Sequence, residues 1–405
     1  MARNPCYPSD SLLDSKLKTE FLVGRTRHTR YIQGTSSRKR RIQVKEVWET
    51  EAVLGKGSYG VVRRERRRSI STPDLHLPSR VRAVKEISKT TIGGNSWDYI
   101  KELEAIVKFS RPQYAPYFVR TYGWYENNES VFITMEYFPL GDLEKFMRDS
   151  PPFSEEATMQ IVQQLLEGVE CMHENGFAHR DIKPGNILVQ ANSPEWIVKI
   201  ADFGISKRAQ DGETDFRTHA GTSVYMAPEV LGLLSDSDTS VAYSVAVDIW
   251  AIGIITVQLL LKRLPFLNVG DVARYFYGNK ALNLEDVASV HLSNPCRDFL
   301  RELLRPIPNT RPTAVDARQH PWLGTGTPTQ NEEESLFVEN NPQDTSWGLQ
   351  NAATPSSVPS LAWSNINLND NSMPTEAPST LQSTYPFSCG QFCMWDPLLR
   401  TIPES

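Results

Sequence analysis

Gly55, Gly57 and Gly60, within Gly55-Lys56-Gly57-Ser58-Tyr59-Gly60-Val61-Val62, let a turn lie close over a triphosphate and offer backbone N–H groups to its oxygens. Dinucleotide folds and ordinary hairpins carry the same spacing, but a predicted strand follows here rather than a helix, which argues against the dinucleotide alternative. Lys85, in Ala83-Val84-Lys85, comes 25 residues after Gly60 on another predicted strand. Such a lysine is either the solvated face of its strand or a phosphate ligand, and the second role needs a carboxylate to position it. A helical stretch offers Glu102 and Glu104. Glu102, with Ala105 and Ile106 three and four residues on, takes the core side, whereas Glu104 faces water; Glu102 is the choice and Glu104 the fallback.

Further on come His179-Arg180-Asp181-Ile182-Lys183-Pro184-Gly185-Asn186, then Asp202-Phe203-Gly204, Ala227-Pro228-Glu229, Asp248-Ile249-Trp250-Ala251-Ile252-Gly253 and Arg311. With the glycine loop and Lys85, this ordered set resembles the eukaryotic protein kinases over about residues 48–323, and Lys183 places it in their serine/threonine branch. The general style is similar to the calcium/calmodulin-dependent and checkpoint-type kinases. The resemblance implies an α+β, bilobal protein-kinase fold: a small β-rich N-lobe over about 48–137 with one key helix, and a larger helical C-lobe over about 140–323. It implies ATP and Mg²⁺, or Mn²⁺ in its place, as cofactors, and protein hydroxyls as acceptors.

Carried over by residue, Lys85 held by Glu102 would grip the α- and β-phosphates. Asp202 and Asn186 would bind Mg²⁺, Asp181 would accept the hydroxyl proton, and Lys183 would neutralise charge on the transferred group. Gly55, Lys56, Gly57, Ser58 and Gly60 would cover the phosphates, with Val62 and Ala83 as walls around the base. Met135 would be the gatekeeper, with Glu136 and Phe138 offering backbone groups to adenine; the end of a buried strand reads the same way. Thr218, three residues before Gly221, is where relatives are phosphorylated, and Arg180 and Lys207 stand ready to receive the phosphate; an ordinary loop hydroxyl is the alternative. Thr222 would bridge Asp181 and Lys183, Glu229 would pair with Arg311, and Asp248 is structural. Gly185 departs from relatives that place an acid there to read a substrate arginine, though Asp142 is retained. Because Lys85, Asp181 and Asp202 are all present, a non-catalytic scaffold is rejected. The Ala227-Pro228-Glu229 segment disfavours a small-molecule kinase.

Elements must hold these residues in place. Short β-like runs fall at 48–54, 60–66, 82–87, 119–125 and 130–137, with a helix over 97–109. Ser154 with Glu155 and Glu156 starts a long amphipathic helix ending near Gly176. A second, strongly apolar helix covers 247–261, and shorter ones cover 294–304 and 314–319.

The 405-residue chain has a net charge of −5 and opposite ends. Residues 1–47 hold eleven Lys and Arg against four acids, and 324–405 one Arg against nine acids. The first lacks a sustained period and reads as a mostly disordered basic arm; the second, rich in Ser, Thr, Pro and Asn, reads as an acidic disordered tail. Within the arm, Phe21–Arg25 resembles the opening of a forkhead-associated fold, but 47 residues are too few to hold one. Arg66–Ser71 reads as a hairpin tip in which Ser69 follows arginines. Five scattered cysteines imply reduced thiols in the cytoplasm or nucleus. The longest apolar run, 249–261, is too short for a membrane span. Basic residues 38–41 lack interleaved aromatics, which lowers the nucleic-acid reading. Expected partners are protein substrates and an upstream activating kinase, with the chain monomeric.

Overall fold

In the computed structural model, the described residues are 9–33, 41–57, 60–70, 80–89, 96–202, 207–208, 223–234, 245–285 and 291–324. The chain divides into the units Met1–Thr329 and Gln330–Ser405, and all the described residues lie in the first. The acidic tail expected over 324–405 lies outside them beyond Gly324.

Helix α1 (Asp10–Asp14) is followed by β1 (Lys18–Leu22), β2 (Arg25–Gln33), β3 (Arg41–Gly57), β4 (Gly60–Ile70), β5 (Val81–Ser88), α2 (Ser96–Phe109), β6 (Thr121–Glu126) and β7 (Ser130–Met135). These strands form one seven-stranded antiparallel sheet in the order β1-β2-β3-β4-β5-β7-β6. Its two edges are drawn together by the segment before β1. Leu17 N donates to Trp124 O at 2.7 Å and Trp124 N to Ser15 O at 3.2 Å, a parallel bridge onto β6. Phe21 at the end of β1 lays its ring against Tyr125 and Phe132, centroids 5.7 and 5.8 Å away. The sheet therefore curls into a cylinder whose edges protect each other.

The expectation of a disordered arm over 1–47 is overturned for residues 10–33 and 41–47. Phe21–Arg25 is the end of β1 and its turn into β2, part of the same sheet and no piece of another domain. The arm was misread because the inside of the cylinder is polar. Alternate residues of β2, Thr26 and His28, face β3 partners Trp48 and Glu46, and Arg82 of β5 faces Glu65 of β4; all six are buried. Arg82 donates to Glu65 Oε2 through Nε at 2.9 Å and Nη2 at 2.6 Å, and its guanidinium lies 4.0 Å from the Trp48 ring centre. Arg82 Nη2 also donates to His28 Nε2 at 2.7 Å, so the imidazole proton sits on Nδ1 and is donated to Thr19 Oγ1 at 2.8 Å. Burial first, then the charges of Arg82 and Arg30, push the pKa of His28 down to about 2, and the ring stays neutral. With polar residues on the inner face, hydrophobic alternation cannot reveal these strands. Ser69 is likewise not at a hairpin tip; it lies in β4, paired with Val47.

Helices α3 (Leu143–Asp149) and α4 (Glu155–Glu174) open the second lobe, followed by β8 (Phe177–Ala178), β9 (Ile187–Ala191), β10 (Ile197–Ile200) and β11 (Lys207–Arg208). Then come α5 (Ala246–Leu261), α6 (Val269–Phe276), α7 (Asn294–Leu303) and α8 (Ala314–Arg318). Ser154 caps α4 by accepting from Ala157 N, and Glu155 and Glu156 lie in its first turn, where they offset the positive end of the helix dipole. Its apolar stripe (Ile161, Leu165, Leu166, Val169, Met172) is fully buried. Helix α5 is buried nearly all round, Trp250 stacking on Phe266 at 5.6 Å. Among the described residues no helix is long and apolar enough to cross a membrane. Sequence patterning missed α3 and α6, short helices whose starts are set by side-chain caps from Asp142 and Asn268.

Breaking a buried ion pair from one side strands the other charge. Glu65→Gln, which leaves Arg82 uncompensated, is expected to lower stability by about 3–5 kcal/mol in denaturant unfolding. The Glu65→Leu, Arg82→Leu double variant should lose much less, and equal losses in the two would show that the pair's charge is not what matters.

Candidate active site

The glycine loop joins β3 to β4, with Gly57 opposite Gly60. Gly60 has φ 137°, and a Cβ there would overlap the carbonyl of Glu86 on β5, so this glycine serves the close approach of two strands. Among the described residues, a Cβ on Gly55 or Gly57 would meet no atom within 4 Å. The packing of the described residues does not require these two glycines. Lys56, beside them, is exposed, and Ser58 lies outside the described residues.

Because side chains alternate along a strand, Ala83 and Lys85 share one face of β5, joined by their cross-strand partners Val62, Met135 and Ile133. That places Val62, Ala83, Lys85 and Met135 on one surface, with Arg82 on the other. Lys85 Nζ forms an ion pair with Asp202 Oδ1. A small cavity of about 30 Å³ is lined by Lys85, Asp202, Met135, Val119, Thr121, Ile133 and, from α2, Ile106. The side chain of Glu102 lies outside those described; Glu104, the fallback, is half-buried and accepts from Ser9 N at 3.2 Å.

At the hinge, Glu136 N donates to Arg120 O at 2.9 Å, so its carbonyl is the backbone group it can offer a base, and its carboxylate pairs with Lys199 at 3.0 Å. Phe138 is buried with Val119 and Ala201. Asp142 caps α3, accepting from Lys145 N at 2.9 Å. A Cβ on Gly185 would stand 3.0 Å from Glu144 Oε2, so a carboxylate borders the position where the resemblance leads to an acid.

The loop after β8 carries the densest hydrogen bonding. Lys183 Nζ donates to both carboxylate oxygens of Asp181, at 3.0 and 2.7 Å. Asn186 Nδ2 donates to Asp181 O at 2.8 Å and to Oδ2 at 2.9 Å. His179 Nε2 meets Ala201 O at 3.0 Å and Asp181 N donates to His179 Nδ1, so the proton is on Nε2 and the ring ties the loop to the residue before Asp202. Beneath it, the buried carboxylate of Asp248 accepts from His179 N at 2.8 Å, Arg180 N at 2.7 Å and His173 Nε2 at 2.9 Å. Arg180 (φ 67°) and Asp202 (φ 64°) are left-handed non-glycine residues, conformations that persist where surrounding bonds over-determine them. The part of His173 had no signal in the sequence beyond its helix; only the packing of α4 on α5 brings it to Asp248.

Burial works to raise the pKa of Asp202, but the charge and hydrogen bond of Lys85, then the charge of Lys183, override it and hold the carboxyl below its ordinary 3.8. At Asp248 burial is likewise outweighed by the His173 hydrogen bond and charge, by His179 and by the Arg180 amide, and the net shift is downward. In the lower lobe, Arg311 forms a buried bidentate pair with Glu229 (2.6 and 2.8 Å) and donates to the carbonyls of Ala246, Arg305 and Pro306, using all five of its N–H groups. Lys207 pairs through its backbone with Ala178, while its side chain, Thr218 and Thr222 lie outside those described.

Residues 48–323 match the family described as "Protein kinase domain". The serine/threonine-protein kinase RAD53 of Saccharomyces cerevisiae is 33% identical over 285 residues, covering 67% of this chain and 32% of the relative. The calcium/calmodulin-dependent protein kinase cmkA of Emericella nidulans is 29% identical over 69% of this chain and 63% of its own. A crystal structure of Rad53 1–466 in complex with AMP-PNP superposes with a TM-score of 0.50 at 29% identity, covering 67% of this chain and 64% of that one. The chain belongs to the protein kinase domain family. It spans about a third of the length of RAD53 and just under two thirds of cmkA.

A carboxylate with a depressed pKa contributes stability that is fully present above its unfolded value and is lost as pH falls through the folded one. Asp248→Asn should therefore lie about 1.5–3 kcal/mol below the wild type at pH 7, the worth of charged hydrogen bonds. The gap should narrow as pH drops below 3.8, the ordinary aspartate value. Urea midpoints measured down to the lowest pH at which both proteins stay folded check this; a gap independent of pH would contradict it.

Proposed function

We propose that this chain is an ATP- and Mg²⁺-dependent protein serine/threonine kinase. One observation carries the reading: Asp181 is held by both Lys183 and Asn186, and His179 ties that loop to the residue before Asp202, which pairs with Lys85. The donor chemistry suits a hard divalent cation. Asn186 spends its amide hydrogens on Asp181, which leaves its oxygen to coordinate, and Asp202 adds a carboxylate. Among the described residues no cluster of three or more His, Cys, Asp or Glu could hold a metal alone, as befits an ion shared with substrate phosphates. When bound, Mg²⁺ supplies neutralisation of the charge on the phosphate oxygens.

Asp181 orients the acceptor hydroxyl and takes its proton, its carboxylate fixed by Lys183 and Asn186. Lys183 lies where negative charge grows on the transferred group, and Lys85 anchors the remaining phosphates. The protein contributes position and electrostatics, with no covalent step of its own. The buried Cys296 and half-buried Cys171, both free thiols, support a reducing compartment, cytoplasm or nucleus.

Asp181→Asn is expected to keep ATP binding while lowering kcat about 10²–10⁴-fold. Asp202→Asn should instead weaken Mg²⁺-dependent nucleotide binding. Both are read by peptide phosphorylation and nucleotide titration, and wild-type protein that transfers no phosphate to any Ser/Thr peptide pool refutes the activity.

The finer reading is regulatory: an upstream kinase phosphorylates Thr218, and the phosphate, with about −1.5 to −2 charges, draws in Arg180 and Lys207 and orders the activation segment. Thr218→Ala should then reduce kcat/KM without changing ATP affinity. Equal activity of that variant and of wild type shown to carry the phosphate would contradict it.

A further inference from the structure

Helix α2 reaches the nucleotide cleft through Ile106, which lines the cavity beside Lys85 and Asp202. What holds α2 on its other side is a segment of the N-terminal region. Leu12 is only 1% exposed and belongs to the apolar core that includes Leu103, Ile106 and Phe109 of α2 and Trp124 of β6. Its carbonyl accepts from Trp124 Nε1 at 3.1 Å. Ser9 N, one turn earlier, donates to Glu104 on α2. At the other end Lys16 pairs with Glu126 at 2.7 Å and sits 4.8 Å from the Trp124 ring centre, and Ser15 and Leu17 bond to the backbone of β6.

Strand β6 is shaped to receive this segment. Gly123 has φ 129°, and a Cβ there would stand 2.6 Å from Ser15 O and 2.9 Å from Leu17 Cδ2. The missing side chain is the room in which Ser15–Leu17 lies. A buried apolar anchor, a backbone bridge, a surface ion pair and a vacated position on β6 thus converge on one element, whose α1 packs on α2.

We propose that Ser9–Leu17 is a strut that positions α2 for catalysis, with Leu12 as its positioning residue. The proposal rests on the kinase reading and deepens it. The strut fixes α2 against β6, so that Ile106, and with it the helix that carries Glu102, keeps its distance from Lys85. Withdrawing Leu12 opens a gap on the outer side of α2 and lets the helix move away from the cleft without touching any group that contacts ATP.

The test uses the whole 405-residue chain with Leu12→Ala, Leu12→Met and Lys16→Glu, the last placing a like charge against Glu126 without opening a cavity. Steady-state kinetics are read together with amide hydrogen exchange of α2 and α5. Leu12→Ala should raise the KM for ATP and lower kcat/KM by ~10–100-fold, the scale of a small misplacement far from the chemistry. Amides of α2 should exchange faster while those of α5 do not change; Leu12→Met should behave like wild type, and Lys16→Glu should shift both readouts in the same direction as Leu12→Ala. Unchanged α2 exchange in Leu12→Ala, or equal acceleration in α2 and α5, would overturn the strut, the latter by showing a general loss of stability. If wild type transfers no phosphate, the kinase reading fails while the exchange comparison still decides whether the segment holds α2.

Discussion

The Asp248 carboxylate is the point on which the loop from His179 to Asn186 depends. It is wholly buried on α5, a helix with almost no solvent-facing side, and two of its three hydrogen-bond donors are consecutive backbone amides of the loop. An ionised carboxylate in that setting is tolerable only because every donor aims at it, and removing any one of them would leave a buried charge under-satisfied. That same demand holds Arg180 in a left-handed conformation the chain would otherwise avoid, and so turns Asp181 toward Lys183 and Asn186. His179 extends the brace to Ala201, next to Asp202.

The other lobe is built on a different principle. Its sheet closes around ions and hydrogen bonds: Arg82 against Glu65 and Trp48, His28 between Arg82 and Thr19, Glu46 accepting from Trp48 Nε1 at 3.0 Å. Such an interior is less tolerant of single changes than an oily one, because each member is satisfied by the others. It separates the two faces of β5 sharply, Arg82 into the cylinder and Ala83 with Lys85 onto the cleft. Closure by Ser15–Leu17 joins the edge strand β6, and through it α2, to the rest of the sheet.

The three glycines of the loop between β3 and β4 divide their work in a way their spacing does not reveal. Gly60 is imposed by the neighbouring strand, while Gly55 and Gly57 face open space. The first therefore belongs to the fold and the other two to whatever the loop covers.

The sequence alone determined the order and identity of the chemical groups, from Gly55 through Lys85, Asp181 and Asp202 to Arg311, and the positions of the long helices. Motifs are contiguous, and α4 and α5 announce themselves by an amphipathic period and by continuous apolarity. Only the tertiary structure decided which groups meet. His173 reaches Asp248 across two helices, Glu144 comes beside Gly185, and Arg311 meets the remote Glu229 carboxylate and Ala246 carbonyl. It also decided that residues 10–33 and 41–47 are ordered parts of the first lobe. Apart from Leu12 and Val44, their buried side chains are Thr, His and Glu, whose burial becomes favourable only once Arg82, Trp48 and their neighbours arrive from distant strands. No local pattern can encode a partner that is supplied by the fold.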